Sequence, residues 1–210
     1  MPIVRRSVWR NPANWYLAAS LSLLGGSVLV PMLAAQRTAR VESRAEQIAQ
    51  LLAEAARDFP TGIATHDLPI VMARFAALAA RPGGPFVDDL QPIDPPLPGT
   101  LLTLRNKHYA FHLAESPPDP KEIVRRDTLP SYEVMAWPES LIGPAHSAFF
   151  RPDNALPAYT RNLAMGYVGF GRERPLPGRS HQRTGPSFEA TASYRSYDDE
   201  RWIVYGSLRP

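Results

Sequence analysis

The sequence predicts an α+β fold in which a long N-terminal helix, transmembrane and then amphipathic, packs on a small antiparallel β-sheet domain. Three features predict it: an uncharged apolar run near the N-terminus, a helix-period apolar stripe after it, and short alternating runs farther on. The chain has 210 residues, 44% hydrophobic and 20% charged, a globular composition. It holds 23 prolines, nearly all beyond residue 59, which excludes an all-helical C-terminal part.

Composition also limits the chemistry. Cysteine is absent, which excludes disulfides, zinc–thiolate sites, iron–sulfur clusters and thiol nucleophiles. A net charge of +3 is too small to indicate a nucleic-acid partner. The sequence predicts no cofactor and no small-molecule substrate.

The first element is the apolar run. Residues 11–36 carry no charge, and Trp15 and Tyr16 stand at its leading edge, where aromatic rings favour the headgroup layer. About 20 apolar residues span a bilayer, so the run predicts a transmembrane helix over 15–36 behind a cytoplasmic tail, 1–14. A cleaved signal peptide is the alternative. The small residues predicted to form the packing face of this helix are Gly25, Gly26 and Ser27.

The second element continues the helix over 37–59. Its apolar residues recur at spacings of three and four, which is typical of one helix face. This face is predicted to pack on the following domain; a free-standing coiled coil is the alternative. The residues predicted to make the helix–domain contact are Val41, Ile48, Leu52 and Phe59.

The third element is a helix over Leu68–Ala80. Asp67 is a suitable N-cap, and the run Pro82-Gly83-Gly84 ends the helix. It opens the exoplasmic α+β domain, 60–210.

Strands follow wherever apolar and polar residues alternate. No helix-length crossover separates these runs, so antiparallel pairing is expected. Asn106-Lys107 and Tyr197–Glu200 are the predicted turns of a first and a last hairpin. The predicted strands are Thr100–Arg105, His108–Ala114, Ser131–Trp137, Ser147–Arg151, Leu163–Gly169, Ser187–Arg195 and Arg201–Ser207.

The segment 171–186, the arginine loop, has almost no apolar content and four arginines against one acid, Glu173. A solvated connection is the simplest interpretation. The functional one is contact with an acidic partner or with anionic lipid headgroups. The residues predicted to make that contact are Arg172, Arg174, Arg179 and Arg183.

No motif predicts catalysis or metal binding. His108 and His112 lie four apart in a strand pattern, about 13 Å along the chain, too far to share a metal. The acidic run Asp198–Glu200 offers oxygens to calcium, but a solvated hairpin turn is the simpler interpretation. The sequence predicts no catalytic, cofactor-binding or metal-binding residue.

The layout resembles the type IV pilins and the pseudopilins of type II secretion. The resemblance rests on 24–59 with Pro31 in the apolar half, on Phe59-Pro60-Thr61, and on the strands HYAFHLAE and SYEVMAWPES. The family's glutamate near the mature N-terminus is missing, since Pro12–Ser20 holds no acid. The N-terminal segment is therefore expected to escape prepilin processing.

The resemblance implies a non-catalytic, single-span membrane-anchored structural or assembly protein. It would lie in the bacterial inner membrane, N-terminus inside and C-terminal domain in the periplasm, with the bilayer and other membrane-protein subunits as partners. One alternative is an accessory subunit that stabilises a larger secretion or electron-transfer complex. A second is a membrane-anchored ligand-binding domain.

Overall fold

The computed structural model describes residues 12–57, 59, 63–116, 131–152, 156–181 and 193–204; of 12–14, 17–18, 21–26 and 131 it describes the backbone alone. The chain divides into two compact units, Met1–Ala39 and Arg40–Pro210.

Helix α1 runs over Pro12–Ala56 and contains Pro31. Among the residues whose side chains are described, no helix is both long enough and apolar enough to cross a membrane. This finding contradicts the predicted fold class in its transmembrane part, whereas the long N-terminal helix itself is present as α1.

The second half of α1 packs on the sheet domain along one face. Ala45, Ile48, Leu52 and Ala55 are buried in one apolar core, which is the spacing the stripe predicts. Polar contacts lie beside this face. Glu42 Oε1 accepts a hydrogen bond from Ser147 N at 3.0 Å, and Glu46 Oε1 accepts one from Arg151 Nη2 at 2.8 Å.

A short 3-10 helix, Thr65–Asp67, leads into helix α2, Leu68–Ala79. The Asp67 side chain accepts a hydrogen bond from Ala64 N at 2.9 Å and makes no capping bond to α2. Val71, Phe75 and Leu78 of α2 join the core that α1 lines.

The described strands form one antiparallel sheet of eight, in the order β1-β2-β3-β4-β5-β6-β8-β7. It is larger than the small sheet expected. The strands are β1 (Gln91–Pro92), β2 (Leu102–Arg105), β3 (Tyr109–Ser116), β4 (Ser131–Pro138), β5 (Ala148–Pro152), β6 (Ala158–Thr160), β7 (Ser193–Arg195) and β8 (Arg201–Val204).

Both faces of the central strands are buried. Successive side chains of a strand point to opposite faces, so Phe111 and Val134 lie in the core with α1. Ala110 and Trp137 lie in a second core with Trp202. Tyr167 and Phe170, from the segment between β6 and β7, pack in that second core.

One strand prediction differs from the structure, and two others are described only in part. Leu163–Gly169 forms no strand; Gly166 (φ 63°) and Gly169 (φ 54°) interrupt it in the left-handed region that favours glycine. The predicted Ser187–Arg195 and Arg201–Ser207 are described only over β7 and β8, and their remaining residues lie outside the described part.

Candidate functional site

A buried polar cluster lies on the sheet face opposite the helices. Its centre is Glu133 of β4, 1% exposed and on the same face as Met135. Glu133 Oε1 accepts a hydrogen bond from Gly178 N at 2.7 Å, and Glu133 Oε2 lies 2.7 Å from His181 Nε2. His112 Nε2 of β3 lies 3.8 Å from Glu133 Oε1. The carboxylate thus ties β4 to the arginine loop.

Electrostatics hold Glu133 in its charged form. Burial by itself would raise the pKa of this carboxyl, but His112 and His181 outweigh burial and lower the pKa to about 2. The arrangement is therefore a buried carboxylate in contact with two histidine rings.

We predict a pH dependence of stability from this shift. The folded-state pKa of Glu133, about 2, lies below the ordinary value of 4.5. The contribution is therefore fully present above pH 4.5 and is lost as the pH falls toward 2. Unfolding by urea at a series of pH values should show this loss, and Glu133→Gln should reduce it. Parallel curves for both proteins would contradict the assignment.

The cluster does not have the geometry of a catalytic triad. Ser116 Oγ and Glu133 Oε2 both lie 2.7 Å from the same atom, His181 Nε2. In a triad the acid holds one ring nitrogen and the serine the other, so that the base can take the serine proton. Here the acid and the hydroxyl share one nitrogen, and this arrangement does not activate Ser116.

His112 is the other unusual member. It is 1% exposed, its ring centroid lies 5.3 Å from that of Trp137, and neither ring nitrogen has a hydrogen-bond partner among the described residues. In the described part of the chain, no group of three or more histidines, cysteines or acids is arranged to hold a metal ion.

The acidic turn is a second polar cluster. Asp198 accepts hydrogen bonds from Tyr167 Oη and Ser196 Oγ. Glu200, 2% exposed, accepts one from Thr160 Oγ1 at 2.6 Å and one from Met165 N at 2.7 Å. The expected solvated turn is therefore wrong for these two acids, because they fold inward and fix the segment after β6.

The arginine loop is described over 171–181. Arg172 and Arg179 are exposed, Arg174 is half-buried, and Arg183 lies outside the described residues. Arg174 Nη1 donates a hydrogen bond to Gly171 O at 3.3 Å. The structure therefore places three of the four predicted contact residues on one loop.

The predicted helix contacts are placed as follows. Ile48 and Leu52 are fully buried, and Val41 and Phe59 are partly buried against the same core. The predicted packing face of the apolar run consists of Gly25, Gly26 and Ser27. Ser27 is exposed, and the burial of Gly25 and Gly26 lies outside what the structure describes.

Sequence reasoning missed Glu133 and His181, and it did not predict that Glu200 is buried. One signal for Glu133 was available: it is the single charged residue in the apolar strand SYEVMAW, and such a residue is buried only when it is paired.

Comparison with protein-family models, curated proteins and solved structures finds no match. The resemblance to pilins and pseudopilins, and the inner-membrane location, therefore stay predictions from the sequence.

Proposed function

We propose that the protein is a non-catalytic assembly subunit that docks on an acidic surface of a neighbouring protein through the arginine loop. The observation that carries this proposal is the attachment of the loop to a buried carboxylate while two of its arginines, Arg172 and Arg179, are exposed.

The backbone of the loop is held in place before any partner binds. Glu133 contacts it at Gly178 and at His181, both at 2.7 Å. Tyr197 N donates a hydrogen bond to Arg179 O at 3.0 Å, which joins the loop to the turn between β7 and β8. A pre-ordered loop loses less conformational entropy on binding, so more of the contact energy contributes to affinity.

The arginine charges remain available to a partner. Among the described residues, neither Arg172 nor Arg179 has a side-chain hydrogen bond or ion pair, and Arg174 has only the bond to Gly171 O. Guanidinium groups pair with carboxylates in two parallel hydrogen bonds, which provides specificity as well as affinity.

A second candidate is an accessory subunit of a larger complex, bound through α1. Val28, Val30 and Leu33 are each more than 60% exposed, so this part of the helix shows a contiguous apolar surface. Such surfaces mark contacts with other proteins or with membranes, and this candidate takes the protein contact. This candidate predicts that substitutions in 28–33, and not in the arginine loop, release the partner.

We predict that replacing Arg172, Arg174, Arg179 and Arg183 together by glutamine lowers partner binding. Exposed pairs each contribute under about 1 kcal/mol, so the joint change is needed, and added salt should mimic it. The measurement is the amount of partner that co-purifies with the full chain from its native host in mild detergent.

The matched control replaces Arg57, Arg81, Arg105 and Lys107 by glutamine, removing the same charge from other exposed positions. The control should bind as the wild type does. If the quadruple loop variant also binds as wild type at low salt, the loop is a solvated connection and the proposed function is wrong.

A further inference from the structure

We infer that the end of the sheet beside the arginine loop is a docking surface for an acidic peptide segment of a partner protein that also carries apolar side chains. This surface, the cationic sheet end, consists of Arg161, Arg195 and Arg201 with the apolar residues Leu163 and Met165. It deepens the proposed function by extending the contact beyond the arginine loop and by naming the partner's chemistry.

Strand topology brings the three arginines together. β6 ends at Thr160, directly before Arg161, and pairs antiparallel with β8, which begins at Arg201. β7 ends at Arg195 and also pairs antiparallel with β8. Two strand ends and one strand start therefore meet at the same end of the sheet. The sequence separates Arg161 from Arg201 by 40 positions, so no local pattern reveals this cluster.

The three arginines are exposed, and few interactions with described residues offset their positive charge. Arg195 and Arg201 are directly opposite each other across the β7–β8 pair, where like charges destabilise a sheet. Arg201 Nη2 lies 3.5 Å from Ser193 Oγ, while Arg161 and Arg195 have no side-chain hydrogen bond or ion pair with any described residue. An acidic partner would relieve this repulsion.

The neighbouring acids are largely engaged elsewhere. Glu200 is buried and binds Thr160 and the backbone of the next loop, and Asp198 binds Tyr167 and Ser196. Asp199 is exposed, and it too has an interaction partner. The carboxylates thus fix the local structure, whereas the guanidinium groups face outward.

A rigid loop presents the apolar residues beside these charges. Asn162 Oδ1 accepts a hydrogen bond from Tyr167 N at 2.6 Å, and Asn162 Nδ2 donates one to Tyr167 O at 2.7 Å. Glu200 holds Ala164 N and Met165 N at 3.1 and 2.7 Å. Leu163 is nevertheless 85% exposed and Met165 is 42% exposed. An exposed apolar residue on a pre-ordered loop can be covered by a partner with little loss of conformational entropy.

Charge complementarity selects the occupant. Carboxylates spaced along a peptide match arginines at three strand ends, and an apolar side chain between them would cover Leu163. A lipid surface fits less well, because one leucine and one half-exposed methionine bury too little apolar area to hold a membrane.

The test uses the full chain and fluorescence anisotropy of a labelled short peptide in which leucines are spaced among glutamates. We expect salt-sensitive binding of this peptide, and much weaker binding of a matched peptide with glutamine in place of glutamate. The triple variant Arg161→Gln, Arg195→Gln, Arg201→Gln should weaken binding about tenfold. Leu163→Ala should weaken it several-fold, and the control Arg57→Gln, Arg81→Gln, Arg105→Gln should leave it unchanged.

Three results would overturn the inference. One is equal affinity of the triple variant and the wild type for the glutamate peptide. Another is binding to phosphatidylglycerol vesicles with no binding to the peptide. The last is a self-association, seen by sedimentation, that the triple variant abolishes while peptide binding is absent. The arginine-loop variant separates the two proposals: if it keeps wild-type partner binding while the triple variant loses peptide binding, the proposed function fails and the cationic sheet end stands.

Discussion

Replacing Glu133 by glutamine should lower the free energy of unfolding by about 3 kcal/mol, because glutamine keeps the shape of the side chain but removes its charge. The depression of the Glu133 pKa from 4.5 to about 2 corresponds to roughly that energy. His181 and Gly178 N would lose the carboxylate that they contact, and a buried polar group left without its partner destabilises the fold. Urea unfolding at neutral pH measures the change.

The matched control is Glu115→Gln on β3, since Glu115 is exposed and Glu133 is buried. Surface changes of this kind alter stability by about 0.5 kcal/mol or less. Glu133→Gln, unlike the control, should also make the arginine loop more sensitive to proteolysis, because Glu133 contacts this loop at two points. A change equal to that of the control would mean that the cluster contributes nothing to stability.

Replacing Leu52 by alanine should destabilise the domain by about 2–5 kcal/mol, the usual cost of a cavity at a buried leucine. Leu52 is fully buried in the core that α1 shares with the sheet and with α2. Alanine favours helices more than leucine does, so helix propensity cannot account for a loss. Thermal and urea unfolding both measure it.

Gln50→Ala is the control for this substitution, since Gln50 is exposed two positions earlier on the same helix. Its stability should match or slightly exceed that of the wild type. If Leu52→Ala proves as stable as Gln50→Ala, the second half of α1 does not pack on the sheet in solution.

Local patterns located several elements closely. The breaks at Asp67 and at Pro82-Gly83-Gly84 predicted a helix over Leu68–Ala80, and α2 occupies Leu68–Ala79. Asn106-Lys107 predicted a hairpin, and β2 pairs with β3 around it. Turn and helix-breaking residues act over a few positions, so their signals survive in an isolated sequence.

The apolar run shows where a local pattern misled. Trp15, Tyr16 and the uncharged stretch behind them favoured a membrane span, yet no helix among the described side chains is long and apolar enough for one.

Two strands were missed because they are short: Gln91–Pro92 has two residues and Ala158–Thr160 has three. Two or three residues are too few to show an alternating strand pattern, so pairing with neighbouring strands decides that such a segment is a strand.

The sequence by itself determined the α1 stripe, the α2 boundaries, the principal hairpins and the surplus of arginines, because each depends on residues close together in the chain. The tertiary structure alone decided which polar groups meet. Glu133 contacts His181, which is 48 positions away in the sequence. The pairing of β6 with β8 places Arg161 and Arg201 at the same end of the sheet. These contacts then set the chemistry: two histidines hold Glu133 charged although burial opposes the charge, and Glu200 turns inward to accept hydrogen bonds from backbone donors.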